Sequence, residues 1–231
     1  MGIIYNKIIH CDCCNNDVPT KEWYKYNNDY TNRESVKLLE LLDSTCSEDG
    51  TNFLQICPIC GYVTGLGLTD VHDINTIRPI VETEKYQDIK MADKLPLLFR
   101  KWRLMVCLCS TLGDYYMTAI TTYKLYDIVT ELNINMENIE GFSNDECLKS
   151  SANNIINYLD NNTIIDDSEY AFYLILLLEI YRRLNDKERF NFYYTYIKDI
   201  ISQSNEEFNK LVNKEVTLFN NNDFTKKKIF T

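Results

Sequence analysis

Two cysteine couples with the spacing of metal ligands lie in the first third of the chain: Cys11-Asp12-Cys13-Cys14, and Cys57-Pro58-Ile59-Cys60 followed by Gly61. Four thiolates arranged tetrahedrally, each about 2.3 Å from the metal, make a closed structural Zn2+ site with no position left for a reacting ligand. The second couple has the composition of a knuckle. Pro58 stiffens the turn, and Gly61 can take the positive φ that lets backbone N–H groups point at sulfur. The first couple lacks both residues, but Asn15 is the next best residue for a left-handed position. Cys11, Cys14, Cys57 and Cys60 are therefore the expected ligands of one zinc ion. Cys13 could replace Cys11 or Cys14, although two intervening residues close a knuckle and one rarely does. His10, next to a full thiolate set, is read as a supporting or solvent-facing side chain. Two other chemistries stay open for the same thiols: a redox Cys-x-x-Cys, and unrelated reduced cysteines.

Short strands must deliver each knuckle. Ile3-Ile4-Tyr5 and Ile8-Ile9 lead into the first couple, Phe53-Leu54-Gln55-Ile56 leads into the second, and Tyr62-Val63-Thr64 returns from it. The 42 residues between Cys14 and Cys57 exceed the spacer of a minimal zinc ribbon. Val36, Leu38, Leu39, Leu41 and Leu42 predict a short helix there, and Ser44 to Asn52, with Cys46, predicts a loop.

From Thr69 onward the apolar spacing is helical. A helix capped by Asp70 runs to about Thr83, with a kink or early end at Pro79. One hairpin joins Leu95–Leu112 to Tyr115–Leu132 through Gly113-Asp114, and another joins Glu169–Leu184 to Lys187–Ser202 through Asn185-Asp186. Between them lies a helix from about Asp145 to Leu159, and Glu206–Phe219 closes the array. The fold class expected is mainly α, with a small N-terminal β zinc-ribbon-like module over residues 1–68, helical hairpins over 69–219 and a frayed tail over 220–231.

The two hairpins are similar to each other and to tetratricopeptide repeats, helix-turn-helix units of roughly 34 residues. Trp102 and Gly113 fit the first unit, and Tyr181 and Asn185 the second, whereas Phe190 and Tyr194 stand where that consensus has Ala. The whole pattern comprises the weak first couple, Leu54-Gln55-Ile56-Cys57-Pro58-Ile59-Cys60-Gly61-Tyr62, Arg100-Lys101-Trp102 ahead of Leu112-Gly113-Asp114, and Leu178-Glu179-Ile180-Tyr181-Arg182-Arg183-Leu184-Asn185-Asp186. It resembles the bacterial family of unknown function DUF2225. The resemblance spans about Ile3 to Ile201 and departs at Asn15 and Asn185, where the family has Gly. It implies a zinc-ribbon-like module fused to tetratricopeptide-like helices, with no activity to carry over.

Composition narrows the function. A net charge of −10 from 34 acidic and 24 basic side chains repels phosphate backbones and anionic lipid. Nine cysteines without a regular framework point to a reducing, cytoplasmic compartment. No secretory leader is expected, and the apolar run Tyr170–Leu178 falls short of the roughly 20 residues that span a bilayer, so it reads as a buried helix. The 17 tyrosines are attributed to compositional bias. Cys107, Cys109 and Cys147 read as small core residues. With two histidines, no phosphate loop and no nucleophile elbow, no catalytic set is recognised. Gly65-Leu66-Gly67 is too short for a dinucleotide fingerprint, His72-Asp73 has no second histidine one turn on, and Asp166-Asp167 and Arg182-Arg183 read as helix-end charges. The expectation is a non-enzymatic interaction protein that binds a protein partner through a face near Trp102, Tyr123 and Tyr181. Its rivals are a zinc ribbon touching nucleic acid through Lys7, Lys21 and Lys25, and a thiol-redox enzyme using Cys57 and Cys60.

Overall fold

The computed structural model describes residues 3–24, 54–65, 72–134, 143–162, 167–201 and 206–225. The helix expected at Val36–Leu42, the loop holding Cys46, Asp70, Asp166, Leu66-Gly67 and the end of the tail lie outside them. Among the described residues the chain is mainly α, with a small N-terminal β region. None of these helices is long and apolar enough to cross a membrane. The chain divides into two compact units, Met1–Asn135 and Met136–Thr231, so the knuckles share a unit with the first helices.

In the first unit, β1 (Ile3–Cys11) and β2 (Asn16–Tyr24) form an antiparallel hairpin pairing Cys11 with Asn16 and Ile3 with Tyr24. The return strand β2 carries Pro19, which hid it as a strand in the sequence. A second antiparallel pair joins β3 (Gln55–Ile56) to β4 (Val63–Thr64). Four helices follow: α1 (Ile74–Val81), α2 (Glu84–Met91), α3 (Leu97–Leu112) and α4 (Tyr115–Glu131). The cap of α1 is Asp73, whose carboxylate accepts from the Asn75 N–H at 2.9 Å. The helix stops two residues after Pro79, as expected of a residue that clashes with the preceding turn. The sequence did not announce α2, because only Tyr86 and Ile89 of its eight residues are buried. Helix α3 packs against α1, α2, α4 and β4 and is the axis of this unit.

The second unit holds α5 (Asn144–Asn161), α6 (Asp167–Arg183), α7 (Lys187–Ile201) and α8 (Glu206–Asn220). A capping box starts α5: the Ser143 hydroxyl accepts from the Glu146 N–H at 3.2 Å, and the Glu146 carboxylate accepts from the Ser143 N–H at 2.7 Å. Helix α6 packs against α5, α7 and α8. Every residue from Ala171 to Arg183 is buried, which explains an apolar run without a polar stripe.

The two hairpin turns have the same backbone. After α3, Gly113 sits at φ 70° and the Asp114 N–H donates to the Cys109 carbonyl at 3.0 Å. After α6, Asn185 sits at φ 52° and the Asp186 N–H donates to the Tyr181 carbonyl at 2.9 Å. Asn133 and Asn222 end α4 and α8 in the same way, at φ 49° and 53°. Asparagine thus takes the left-handed C′ place usually given to glycine, since its short polar side chain tolerates that region. Asn185→Val is expected to cost about 1–2 kcal/mol, the penalty of an ordinary L-residue there. Asn185→Gly should leave the urea midpoint nearly unchanged.

Candidate metal centre

The hairpin turn and the β3–β4 turn bring the two couples together. Cys11 ends β1, Cys14 lies in the turn before β2, and Cys57 and Cys60 occupy the turn between β3 and β4. The four Sγ atoms all lie within 4.8 Å of one another. Across the couples, Cys11 Sγ is 3.7 Å from Cys60 Sγ and Cys14 Sγ is 3.8 Å from Cys57 Sγ. A tetrahedron with metal–sulfur bonds of about 2.3 Å has edges of about 3.8 Å, whereas a disulfide needs about 2.05 Å. The set therefore fits a metal ion and is far from disulfide distance.

Both turns are built alike. The Asn15 N–H donates to the Cys11 carbonyl at 2.7 Å with Asn15 at φ 59°, and the Gly61 N–H donates to the Cys57 carbonyl at 2.8 Å with Gly61 at φ 85°. The Tyr62 N–H then donates to Cys60 Sγ at 3.4 Å. Asn15 thus does in the first turn what Gly61 does in the second. Cys13 is buried but stands outside the four sulfurs that lie close enough together to hold a metal ion. His10 points away: Nδ1 is 2.8 Å from the Asp17 carboxylate and Nε2 is 3.1 Å from Asn15 Oδ1. Those two hydrogen bonds, that to Asp17 foremost, raise its pKa.

The thiol electrostatics follow from burial. Desolvation pushes the Cys11 thiol up to about 11 and that of Cys60 further still. Cys14 is pushed up by its slight burial but brought down to about 6 by hydrogen bonds from Asn16 and from its sulfur neighbours. Binding a metal must therefore displace protons, and affinity falls as pH is lowered.

Helices grip the carbonyls of both turns, a support that no spacing rule foretells. From α1, Arg78 Nε donates to the Cys13 carbonyl at 2.7 Å and Nη2 to the Asp12 carbonyl at 3.1 Å. From α2, the Tyr86 hydroxyl donates to the Gly61 carbonyl at 3.0 Å, Gln87 Nε2 to the Cys60 carbonyl at 2.9 Å and Lys90 Nζ to the Ile59 carbonyl at 2.6 Å. From α3, the nearly buried Lys101 Nζ donates to the Leu54 carbonyl at 3.1 Å. Such outer partners hold ligands in register for the metal.

Two other expectations change. Trp102, Tyr123 and Tyr181 are 3%, 1% and 1% exposed, so these side chains are core and not a contact face. Arg182 lies in the last turn of α6, as expected, and is fully buried there. Its Nε donates to Glu215 at 2.6 Å, and its Nη1 to the carbonyls of Asp223 and Thr225 at 2.6 and 2.8 Å. The chain is thereby held as far as Thr225, beyond the point at which the tail was expected to fray. Cys107, Cys109 and Cys147 are buried as expected. The side chains of Lys7, Lys21 and Lys25 lie outside what is described. His72 Nε2 lies 3.0 Å from the Asp114 carboxylate, whose other oxygen caps α4 by accepting from the Met117 N–H at 2.9 Å, so this pair braces a helix end.

A scan against protein-family models finds no match to the chain, and searches of curated proteins and of solved structures find none either.

Proposed function

We propose that this chain is a non-enzymatic, zinc-stabilised interaction protein, in which the metal fixes the N-terminal turns and the helices offer surface to a protein partner. The observation that carries the reading is the four-sulfur cluster with tetrahedral edge distances. Zinc is the favoured ion because an all-thiolate tetrahedral set suits it and leaves no open position for a substrate. Clamping of the turn carbonyls by Arg78, Gln87 and Lys90 supports a positioning role for the metal. In the same reading the chain is related to the DUF2225 family, its helix pairs act as repeat-like surfaces, and it works in the cytoplasm. The contact face must lie on exposed side chains, since the aromatic trio first expected there is buried.

The test is elemental analysis of protein purified without chelator, coupled to affinity capture from the native cell with mass spectrometry. About one zinc per chain and a partner protein that stays bound at moderate salt are expected. Absence of stoichiometric metal would overturn the zinc reading. Capture dominated by nucleic acid whose affinity falls steeply with salt would favour the zinc-ribbon alternative instead.

A further inference from the structure

Past the end of α8 the chain turns back onto α6, and one side chain sets its route. The Asn222 and Asp223 N–H groups close the helix on the Phe219 and Leu218 carbonyls at 3.0 and 2.9 Å, with Asn222 at φ 53°. Beyond that point a guanidinium takes over from the helix. Arg182 Nη1 donates to the Asp223 carbonyl at 2.6 Å and to the Thr225 carbonyl at 2.8 Å. The Asp223 carboxylate accepts from the Thr225 N–H at 3.1 Å and from the Thr225 hydroxyl, a local turn that brings both carbonyls to the same nitrogen. Between those carbonyls stands Phe224. Its ring meets Phe219 edge-on, with centroids 6.5 Å apart and planes at 73°, and Phe219 is itself stacked on the buried Phe190 at 3.9 Å.

These are the means by which proteins read short extended segments: main-chain hydrogen bonds supply affinity, and a socket for one side chain supplies specificity. Every residue has a carbonyl, so Arg182 does not require this particular strap, and selection falls to the ring placed against Phe219. The charge on the donor strengthens both bonds. Arg182 is fully buried, whereas Asp223 and Phe224 are half-buried and Thr225 is exposed, so the strap is the outer, solvent-facing side of the contact. Nor does the strap satisfy its host. Arg182 Nη2, 3.9 Å from Glu179, and Glu215 Oε1 are buried and make no hydrogen bond, so the seated segment leaves part of a buried polar group unsatisfied.

We propose that Arg182 and Phe219 form a recognition site for an extended segment of a partner protein, one aromatic residue between two main-chain carbonyls, and that Asp223-Phe224-Thr225 fills this site in cis as a competing strap. The inference rests on the interaction-protein reading and names the partner chemistry. Asp223 is the hinge. Its N–H belongs to the end of α8 and its carbonyl to Arg182, so rotation at this one residue frees the site and leaves the helix end intact. A tethered strap competes at an effective concentration on the order of mM. The apparent affinity for a partner therefore falls with the fraction of chains whose strap is released.

The experiment uses the full chain and, as probe, a fluorescent amidated peptide of the sequence Asn220–Thr225, which leaves out the charge of Lys226, Lys227 and Lys228. Binding is read by anisotropy at moderate salt. Phe224→Ala in the chain removes the ring that meets Phe219 and should tighten peptide binding by about tenfold, the loss of one aromatic pair from the competitor. Asp223→Ala removes the local turn but keeps the ring, should act in the same direction, and serves where Phe224→Ala disturbs α8. Circular dichroism of each variant checks the helices. A peptide carrying Phe224→Ala should bind the loosened chain about tenfold more weakly. Equal peptide affinity for the wild type and both variants, no binding by the loosened chains, or indifference to the peptide's phenylalanine would each overturn the proposal. So would sedimentation showing that a loosened chain dimerises and that the peptide merely dissociates the dimer, because the guest would then be a second copy. Zinc content and partner capture are untouched by these outcomes, so failure here is distinct from failure of the interaction reading.

Discussion

Cys57→Ser is expected to abolish stoichiometric metal binding and to unfold the turns between β1 and β4. The cluster offers four sulfurs at tetrahedral spacing, and a structural zinc ion contributes apparent binding energy on the order of 10–16 kcal/mol in small peptides. A strand pair as short as β3 and β4 cannot hold itself without it. The effect should reach α1 and α2, because Arg78, Tyr86, Gln87 and Lys90 would lose the carbonyls they hold. Helices α5–α8 have their own packing and should keep their circular dichroism. Addition of a strong chelator to the wild-type chain should reproduce the same partial loss, more readily at pH 6 than at pH 8, since protons compete for thiols whose burial keeps Cys11 and Cys60 protonated. Retained zinc and an unchanged unfolding curve in Cys57→Ser would remove Cys57 from the ligand set.

The second large effect is expected at Arg182. Its guanidinium is fully buried, neutralised by Glu215 at 2.6 Å, and supported at longer range by Glu179 at 3.9 Å. Burial raises the pKa of Glu215 while Arg182 pulls it back, so the pair is held against a substantial desolvation cost. Arg182→Ala leaves the Glu215 carboxylate buried without its cation and frees the Asp223 and Thr225 carbonyls. A loss of about 3–5 kcal/mol is expected. For a unit of this size that lowers the melting midpoint by on the order of 10 °C or more. Glu215→Ala should cost a similar amount, and the double variant much less than the sum, because the unpaired charge is then gone. Additive losses in the double-mutant cycle would show that the two side chains act separately. A melting midpoint unchanged by Arg182→Ala would mean that the pair carries no stability at all.

Much of the helical half was legible in the sequence. The boundaries of α3 to α8 fall within about two residues of those expected from apolar spacing and end signals. Asp114 and Ser143 cap their helices through the N–H three residues on, and Gly113 and Asn185 end theirs by local backbone geometry. Helix α2 was illegible because its eight residues carry only two buried positions, too few to set a period. Strand β2 was illegible because Asn16–Tyr24 is polar and contains Pro19, and its pairing comes from the hairpin rather than from propensity. The pair Arg182-Arg183 was legible as a structural helix-end pair, but its partner Glu215 was not, since it lies 33 residues on.

Chain chemistry alone pointed to the two turns that carry the sulfurs, because Cys-x-x-Cys spacing and a left-handed residue after each couple are short-range constraints: Cys11 with Asn15, and Cys57 with Gly61, close the same turn within five residues, while only the fold set Cys13 outside the cluster. Chain chemistry likewise settled the succession of helices from α3 to α8, since capping and apolar period act within one or two turns. Only the tertiary structure decided what surrounds those elements. Arg78 reaches a carbonyl 65 residues away and Arg182 reaches Glu215 across 33 residues. Which of Tyr181, Tyr193 and Tyr196 is core and which is surface was decided by helix packing in the second unit. Contacts of this kind depend on where packed helices place a side chain, and a backbone carbonyl has no residue type to mark it in advance.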